Sequence, residues 1–223
     1  MATYALIHGA GDVGWYWHLV EAELRKREHD VVAMDLPVED DAADLSAYAD
    51  VVAGAIGARR DLVVVAQSFG GYTAPIVCER LDARLLVLVA GMIPAPGESA
   101  EEMFVNTGWE PPARKGATST LDVFYQDVPP ALAREAMARS RRQSGTPGKQ
   151  PWPLAAWPNV PTRFLLCRND RFFPAAWLRR VVRDRLGITP DEIDSGHTPA
   201  LSRPAELAER LERYREALPA RRR

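Results

Sequence analysis

Cysteine is nearly absent from the 223 residues. Cys78 and Cys167 are the two present, and neither has a second cysteine or a histidine at metal-ligand spacing. A disulfide framework and a thiolate metal site are thereby excluded, and two reduced, buried thiols are expected. Long apolar runs are missing too. No stretch reaches the ~18 uninterrupted apolar residues of a membrane span, and the opening MATYALIHG has neither the basic nor the apolar region of an export signal. A soluble cytoplasmic protein is the expectation. Nor is there an excess of one charge: 28 Lys and Arg stand against 30 Asp and Glu, a formal net charge of -2. A nucleic-acid partner has no field to follow. The pairs Arg59-Arg60 and Arg141-Arg142 and the run Arg221 to Arg223 are short, and they lie beside helical or terminal segments where solvated charge is ordinary. No repeat of 20 to 50 residues occurs, and neither G-x-G-x-x-G nor a P-loop lysine offers a phosphate cradle.

What is present is apolar content of 47%, enough for one sizeable core, in a chain somewhat long for a minimal domain. The apolar runs are short and rich in Val and Leu. TYALIH (3–8), DVVAMD (30–35), DLVVVAQ (61–67), RLLVLVAG (84–91) and TRFLLC (162–167) read as strands buried on both faces, with DEID (191–194) a weaker sixth. Between them, Leu45, Tyr48, Val52 and Ile56 mark one face of a helix, and Trp177, Val181 and Val182 mark another. Pro174 and Pro204 suit helix first turns. Strand alternating with helix predicts a mostly parallel six-stranded α/β sheet with helices on both faces. The rhythm breaks between residues 94 and 158, where Pro and Gly separate amphipathic stretches such as ALAREAMARSRR (131–142). The chain therefore divides into a core of 1–93 and 159–223 and a helical cap insertion of 94–158 over the carboxyl ends of the strands. Of the insertion's aromatics, Trp109, Phe124, Tyr125, Trp152 and Trp157 are the candidates to line a substrate pocket, with Phe104 packing beside them.

Three motifs fall at strand ends. In AQSFGG (66–71) Ser68 sits on a tight strand-to-helix turn, with small Ala66 and Gly70 two residues to either side, as a strained and exposed nucleophile requires. A hydroxyl is a poor nucleophile at neutral pH, so it needs a base and donors for the oxyanion that forms on attack. HGAGDVGW (8–15) follows the first strand and can aim the amide of Ala10 at the site beside that of Phe69. His8 is expected to turn inward and hold that loop. SGHTPALSRP (195–204) carries His197 in a loop after the last strand, flanked by Gly196 and Thr198, where a histidine has little to gain as core packing. CRNDRFFP (167–174) supplies Asp170 just beyond the fifth strand to fix the tautomer of that base. Adjacency in the sheet favours it over Glu98, Asp191 and Asp194. His18 and His29 lie remote.

HGAG, AQSFGG, D-x-x-x-P and GHTPALSRP, in this order and spacing, resemble the α/β-hydrolase superfamily over the whole chain apart from a variable cap. The resemblance implies that fold without its first two strands, a triad of Ser68, Asp170 and His197, an oxyanion hole from Ala10 and Phe69, and no cofactor or metal. Within the superfamily the HGA opening and short cap resemble plant-type esterases and hydroxynitrile lyases. The lyases carry Thr where this chain has Gly9, and Lys where it has Thr198, which favours the esterase side. Haloalkane dehalogenases and epoxide hydrolases of the fold use an aspartate nucleophile, against which Ser68 argues. The expected function is hydrolysis of a small apolar carboxylic ester through an acyl-enzyme. The alternatives are a lyase on the same triad and a ligand-binding protein of this fold with little turnover.

Overall fold

The runs at 3–7, 62–67, 83–89 and 162–167 are apolar and largely buried on both faces, so they can be satisfied only inside a sheet covered on both sides. The computed structural model describes residues 1–111 and 119–219, and Arg221 to Arg223 and residues 112–118 of the insertion lie outside them. The strands are β1 (Thr3–Ile7), β2 (Asp30–Ala33), β3 (Leu62–Gln67), β4 (Ala83–Val89), β5 (Thr162–Cys167) and β6 (Asp191–Ile193). They form one sheet in the order β2-β1-β3-β4-β5-β6, and every neighbouring pair is parallel. The chain thus winds outward in both directions from the β1–β3 pair, and loops leaving the carboxyl ends of those two strands face each other across a crevice.

Side-chain alternation divides the core. Val64 and Ala66 of β3, with Ile7, Leu86, Leu88 and Phe164, pack under α2 (Leu45–Ile56), α3 (Gly70–Arg80) and α8 (Ala175–Leu186). Val63 and Val65, with Tyr4, Leu6, Val87 and Leu165, pack under α1 (His18–Arg25) and α10 (Pro204–Glu216). All the apolar positions expected to mark helix faces, Leu45, Tyr48, Val52, Ile56, Trp177, Val181 and Val182, are buried. Asp44 caps α2 by accepting from the amide of Ala47 at 2.8 Å. His18 and His29 serve packing. His29 accepts from the amide of Ala2 at 3.0 Å through Nδ1 and donates through Nε2 to Glu212 at 2.7 Å, and Glu212 also receives the hydroxyl of Tyr4, which fastens α10 to the sheet.

Between β4 and β5 the described residues contain four helices and no strand: α4 (Ala100–Thr107), α5 (Thr120–Phe124), α6 (Pro130–Arg139) and α7 (Thr146–Lys149). The segment is rooted by Glu98, which is buried and accepts from Arg185 of α8, from Asn106 Nδ2 at 2.8 Å and from its own turn. One element is shorter than its sequence period implies. The expected helix through Arg142 stops at Arg139, and Ser140 turns out of it with ψ of 146°. Beyond it, Arg141 N donates to Gly11 O at 2.7 Å and Ser144 N to Val38 O at 2.7 Å, so the chain is taken over by the loops after β1 and β2. Among the described residues no helix is long and apolar enough to cross a membrane.

Gly71, in the first turn of α3, shows how tightly that helix is seated: a Cβ there would collide with the backbone oxygen of Met92 and lie 2.9 Å from its nitrogen. Gly54, on the exposed side of α2, would meet nothing within 4 Å. Gly71→Ala is expected to destabilise by about 3 kcal/mol, the scale of an overpacked core site. Gly54→Ala should stabilise by about 0.5–1 kcal/mol through helix propensity. Urea denaturation of both variants reads the two signs.

Candidate active site

Ser68 stands between the end of β3 and the start of α3 with φ of +50°, a left-handed backbone uncommon in a residue with a Cβ. Its amide donates to Val89 O at 3.3 Å, and its carbonyl accepts from Gly71 N at 3.0 Å and Met92 N at 2.9 Å. Those bonds tie the turn to both the helix and β4, and they hold the strained conformer in place. The small neighbours have identifiable tasks. A Cβ on Gly70 would lie 2.8 Å from His8 O and 3.1 Å from Ile7 O, so the helix can lie against β1 only with glycine there. Ala66 is fully buried and its methyl is accommodated in the core.

The loop after β1 is pinned from inside by His8. Its Nδ1 donates to Gly9 O at 2.8 Å and its Nε2 accepts from Leu36 N at 3.0 Å, an arrangement that needs the neutral ring. Burial draws its pKa down to about 4, as that role demands. Gly9 packs on the Gln67 side chain, which a Cβ would strike. The next residue, Ala10, is exposed. Among the described residues neither its amide nor that of Phe69 donates to a protein acceptor.

His197 is buried in the loop after β6. Its Nδ1 meets Asp170 Oδ2 at 2.7 Å, while Asp170 Oδ1 accepts from Phe172 N at 2.8 Å and Phe173 N at 2.9 Å. The carboxylate is therefore fixed by two backbone amides before it fixes the ring, and a donating Nδ1 leaves Nε2 as an acceptor. The other acids turn elsewhere. Asp194 accepts from Asn169 at 2.7 Å, and Glu98 is engaged with Arg185 and Asn106. Asp191 stands at the first position of β6 and makes no hydrogen bond to His197. The rings of Phe124, Phe172 and Phe173 stand edge-on to the imidazole with centroids 5.2, 5.4 and 5.3 Å away.

Two braces between these loops were assigned no role in the sequence. Gln67 Nε2 donates to His197 O at 3.1 Å, joining the serine turn to the histidine loop. Asp127, between α5 and α6, accepts from Gly196 N at 2.8 Å, and Gln126 donates to Asn169 O at 2.9 Å. A Cβ on Gly196 would strike both side chains, which accounts for the glycine before His197. Gln67 was readable as the residue immediately before Ser68, whereas nothing in the sequence points from residue 127 to residue 196.

These loops enclose a cavity of about 310 Å³ lined by Gly9, Ala10, Ser68, His197, Phe124, Tyr125 and Phe172, with Ser140, Arg141 and Gln143 from the segment that covers the strand ends. Ser68 Oγ makes no hydrogen bond among the described residues, an arrangement common in unliganded sites. Phe124 and Tyr125 are among the residues that line the cavity, and Trp109, Trp152 and Trp157 are not. Each of the three indoles is turned away by a bond of its own: Trp109 to Phe172 O at 2.9 Å, Trp152 to Tyr72 O at 3.1 Å, and Trp157 to Thr162 Oγ1 at 3.1 Å. Phe172, two residues after Asp170, takes the place expected of them. Arg141, expected as solvated surface, lines the cavity while pairing with Asp35 at 2.7 Å. No cluster of three or more His, Cys, Asp or Glu able to hold a metal occurs among the described residues.

Residues 5–210 match the model of the alpha/beta hydrolase family. The chain belongs to that family. It is 23% identical over 212 residues to an alpha/beta hydrolase, nvfD, of Aspergillus novofumigatus, a match that covers 83% of this chain and 85% of that protein. In fold it is similar to polyneuridine aldehyde esterase, with a TM-score of 0.82 and 19% identity over 96% of this chain and 99% of that one. A methylesterase from Arabidopsis superposes with a TM-score of 0.80 at 15% identity, over 98% and 100%. The six-stranded sheet with its covering helices is thus an alpha/beta hydrolase fold.

In this hydrolase-family cavity one carboxyl is unaccounted for. Asp12 lines the wall, and burial raises its pKa to about 7, opposed by the nearby charge of His197. His8 and Asp12 therefore act on stability with opposite signs. Below pH 6.5 unfolded His8 takes up a proton that the folded state refuses until about pH 4, so acid costs stability. Between about pH 7 and 3.8 folded Asp12 holds a proton that the unfolded state has lost, so acid restores some. Asp12→Asn removes the second effect alone. The melting temperature of that variant should fall more steeply than wild type from pH 7 to 4, and parallel curves would show that Asp12 does not titrate near neutrality.

Proposed function

We propose that the protein is a cofactor-independent serine hydrolase, a carboxylesterase that handles a small, largely apolar ester through an acyl-enzyme. The observation that carries the reading is that His197, held 2.7 Å from Asp170, lines one cavity with a serine at φ of +50°. Ser68 Oγ attacks the ester carbonyl and passes its proton to Nε2 of His197, whose Nδ1 proton stays on the Asp170 side. The unpaired amides of Ala10 and Phe69 receive the oxyanion. His197 then returns the proton to the departing alcohol and draws one from water to release the acid. The esterase names borne by the structural neighbours support the same chemistry. Residues 94–158 act as the cap that shapes the pocket over a core of 1–93 and 159–223. Two free, buried thiols fit a cytoplasmic location.

Cyanohydrin cleavage is disfavoured by Gly9, since the threonine of the lyases would collide with Gln67, and by Thr198, whose hydroxyl is spent on Phe124 O at 2.7 Å. Wild type should release no cyanide from mandelonitrile above background, and release that is lost in Ser68→Ala would install the lyase in place of the esterase.

A fluorophosphonate probe and a series of p-nitrophenyl esters from acetate to decanoate test the main reading. Ser68→Ala should keep its fold and lose labelling together with turnover, by roughly 10⁴ to 10⁶ in kcat. Asp170→Asn should lose about 10⁴ near neutral pH, while Glu98→Gln and Asp194→Asn each lose less than about tenfold. A folded, active Ser68→Ala overturns the assignment, and labelling without turnover of any ester would make the protein a binder.

A further inference from the structure

Asp12 belongs to HGAGDVGW but has no part in the reaction just described: Ala10 supplies the oxyanion amide, His8 holds the loop, and His197 already has Asp170. Among the described residues no group donates a hydrogen bond to its carboxyl. The titratable groups near it are His197 from the loop after β6 and the phenols of Tyr16, in the turn before α1, and Tyr125, at the end of α5. The cavity's remaining formal charge, Arg141, is taken up by Asp35. The carboxyl, half-buried, thus shares the cavity wall with Phe124, Tyr125 and Phe172, and no described residue pairs with it. A carboxylate in a cavity whose wall also carries aromatic residues is the chemistry that recognises an alkylammonium ion, by charge and by contact with the rings.

We propose that Asp12 receives a cationic group of the substrate, so that the esters this cavity selects carry an alkylammonium on an otherwise small apolar frame. The proposal rests on the esterase reading for the word ester, and on the cavity alone for the cation. Seating the cation restores to Asp12 the stabilisation that burial withholds, and it favours the ionised carboxylate.

Choline and 3,3-dimethylbutan-1-ol have the same shape and differ by one positive charge, which makes the pair a direct probe. Their affinities are to be measured by calorimetry at pH 8, where Asp12 is ionised, on wild type, Asp12→Asn and Asp12→Ser. Wild type should bind choline at least about tenfold more tightly than its neutral counterpart, and the two affinities should converge to within about twofold in either variant that folds. Absence of choline binding in wild type, equal affinities in wild type, or a preference that survives in the variants overturns the proposal. Calorimetry needs no turnover. An inert protein that prefers choline through Asp12 would sink the esterase reading alone, and an active esterase indifferent to the charge would sink the Asp12 proposal alone.

Discussion

The left-handed turn at Ser68 is the constraint to which the surrounding elements are fitted. A residue with a Cβ reaches φ of +50° only when its neighbours leave no better conformer. Here the amide of Ser68 is taken by β4 and its carbonyl by both Gly71 and Met92. For those bonds to form, α3 must start hard against β1, which requires Gly70, and must lie on the chain leaving β4, which requires Gly71. The order of the strands is part of the same requirement. With β3 between β1 and β4, the serine turn is flanked by the loop bearing Ala10 on one side and by the strand that anchors it on the other.

Electrostatics in the site follow from who supplies hydrogen bonds. His8 has both ring nitrogens engaged by the backbone and is held neutral. Asp170 has one oxygen on two amides and the other on His197. Asp12 has nothing. Three ionisable groups within one set of loops are thereby sorted into a strut, an orienting carboxylate and an uncommitted charge. The difference lies in the number of donors the fold directs at each, since burial alone acts on all three alike.

Much of this was legible in the sequence because the signals were local. Strands buried on both faces cannot avoid continuous runs of Val and Leu, and each of the six was recognised within a residue or two at its ends. The motif residues at the strand ends announce themselves by turn chemistry, and parallel neighbours bring those ends to one edge. Asp170 could be preferred to Asp194 because the two differ in which strand they leave. What could not be read depends on which way side chains outside the helices and strands turn. Trp109, Trp152 and Trp157 look equivalent to Phe124 and Tyr125 in composition, and only the partner found by each indole decides which way it faces. The end of α6 at Arg139 belongs with these, because the bond that stops it comes from Gly11, 130 residues earlier in the chain. Asp127 and Gly196 are likewise a pair only in space.

Gly11 is held on both its backbone groups by the covering segment: its carbonyl by Arg141 N at 2.7 Å, its amide by Gln143 Oε1 at 3.0 Å. Ala10, a residue of the cavity wall, is its neighbour in the chain. The cover and the loop beneath it are consequently one mechanical part, and a displacement of residues 140–143 reaches the amide of Ala10 through a single peptide unit. Lengthening or shortening the chain between α6 and α7 would therefore shift the loop after β1 while leaving the sheet untouched. In this scaffold the two sides of the cavity wall cannot be adjusted independently.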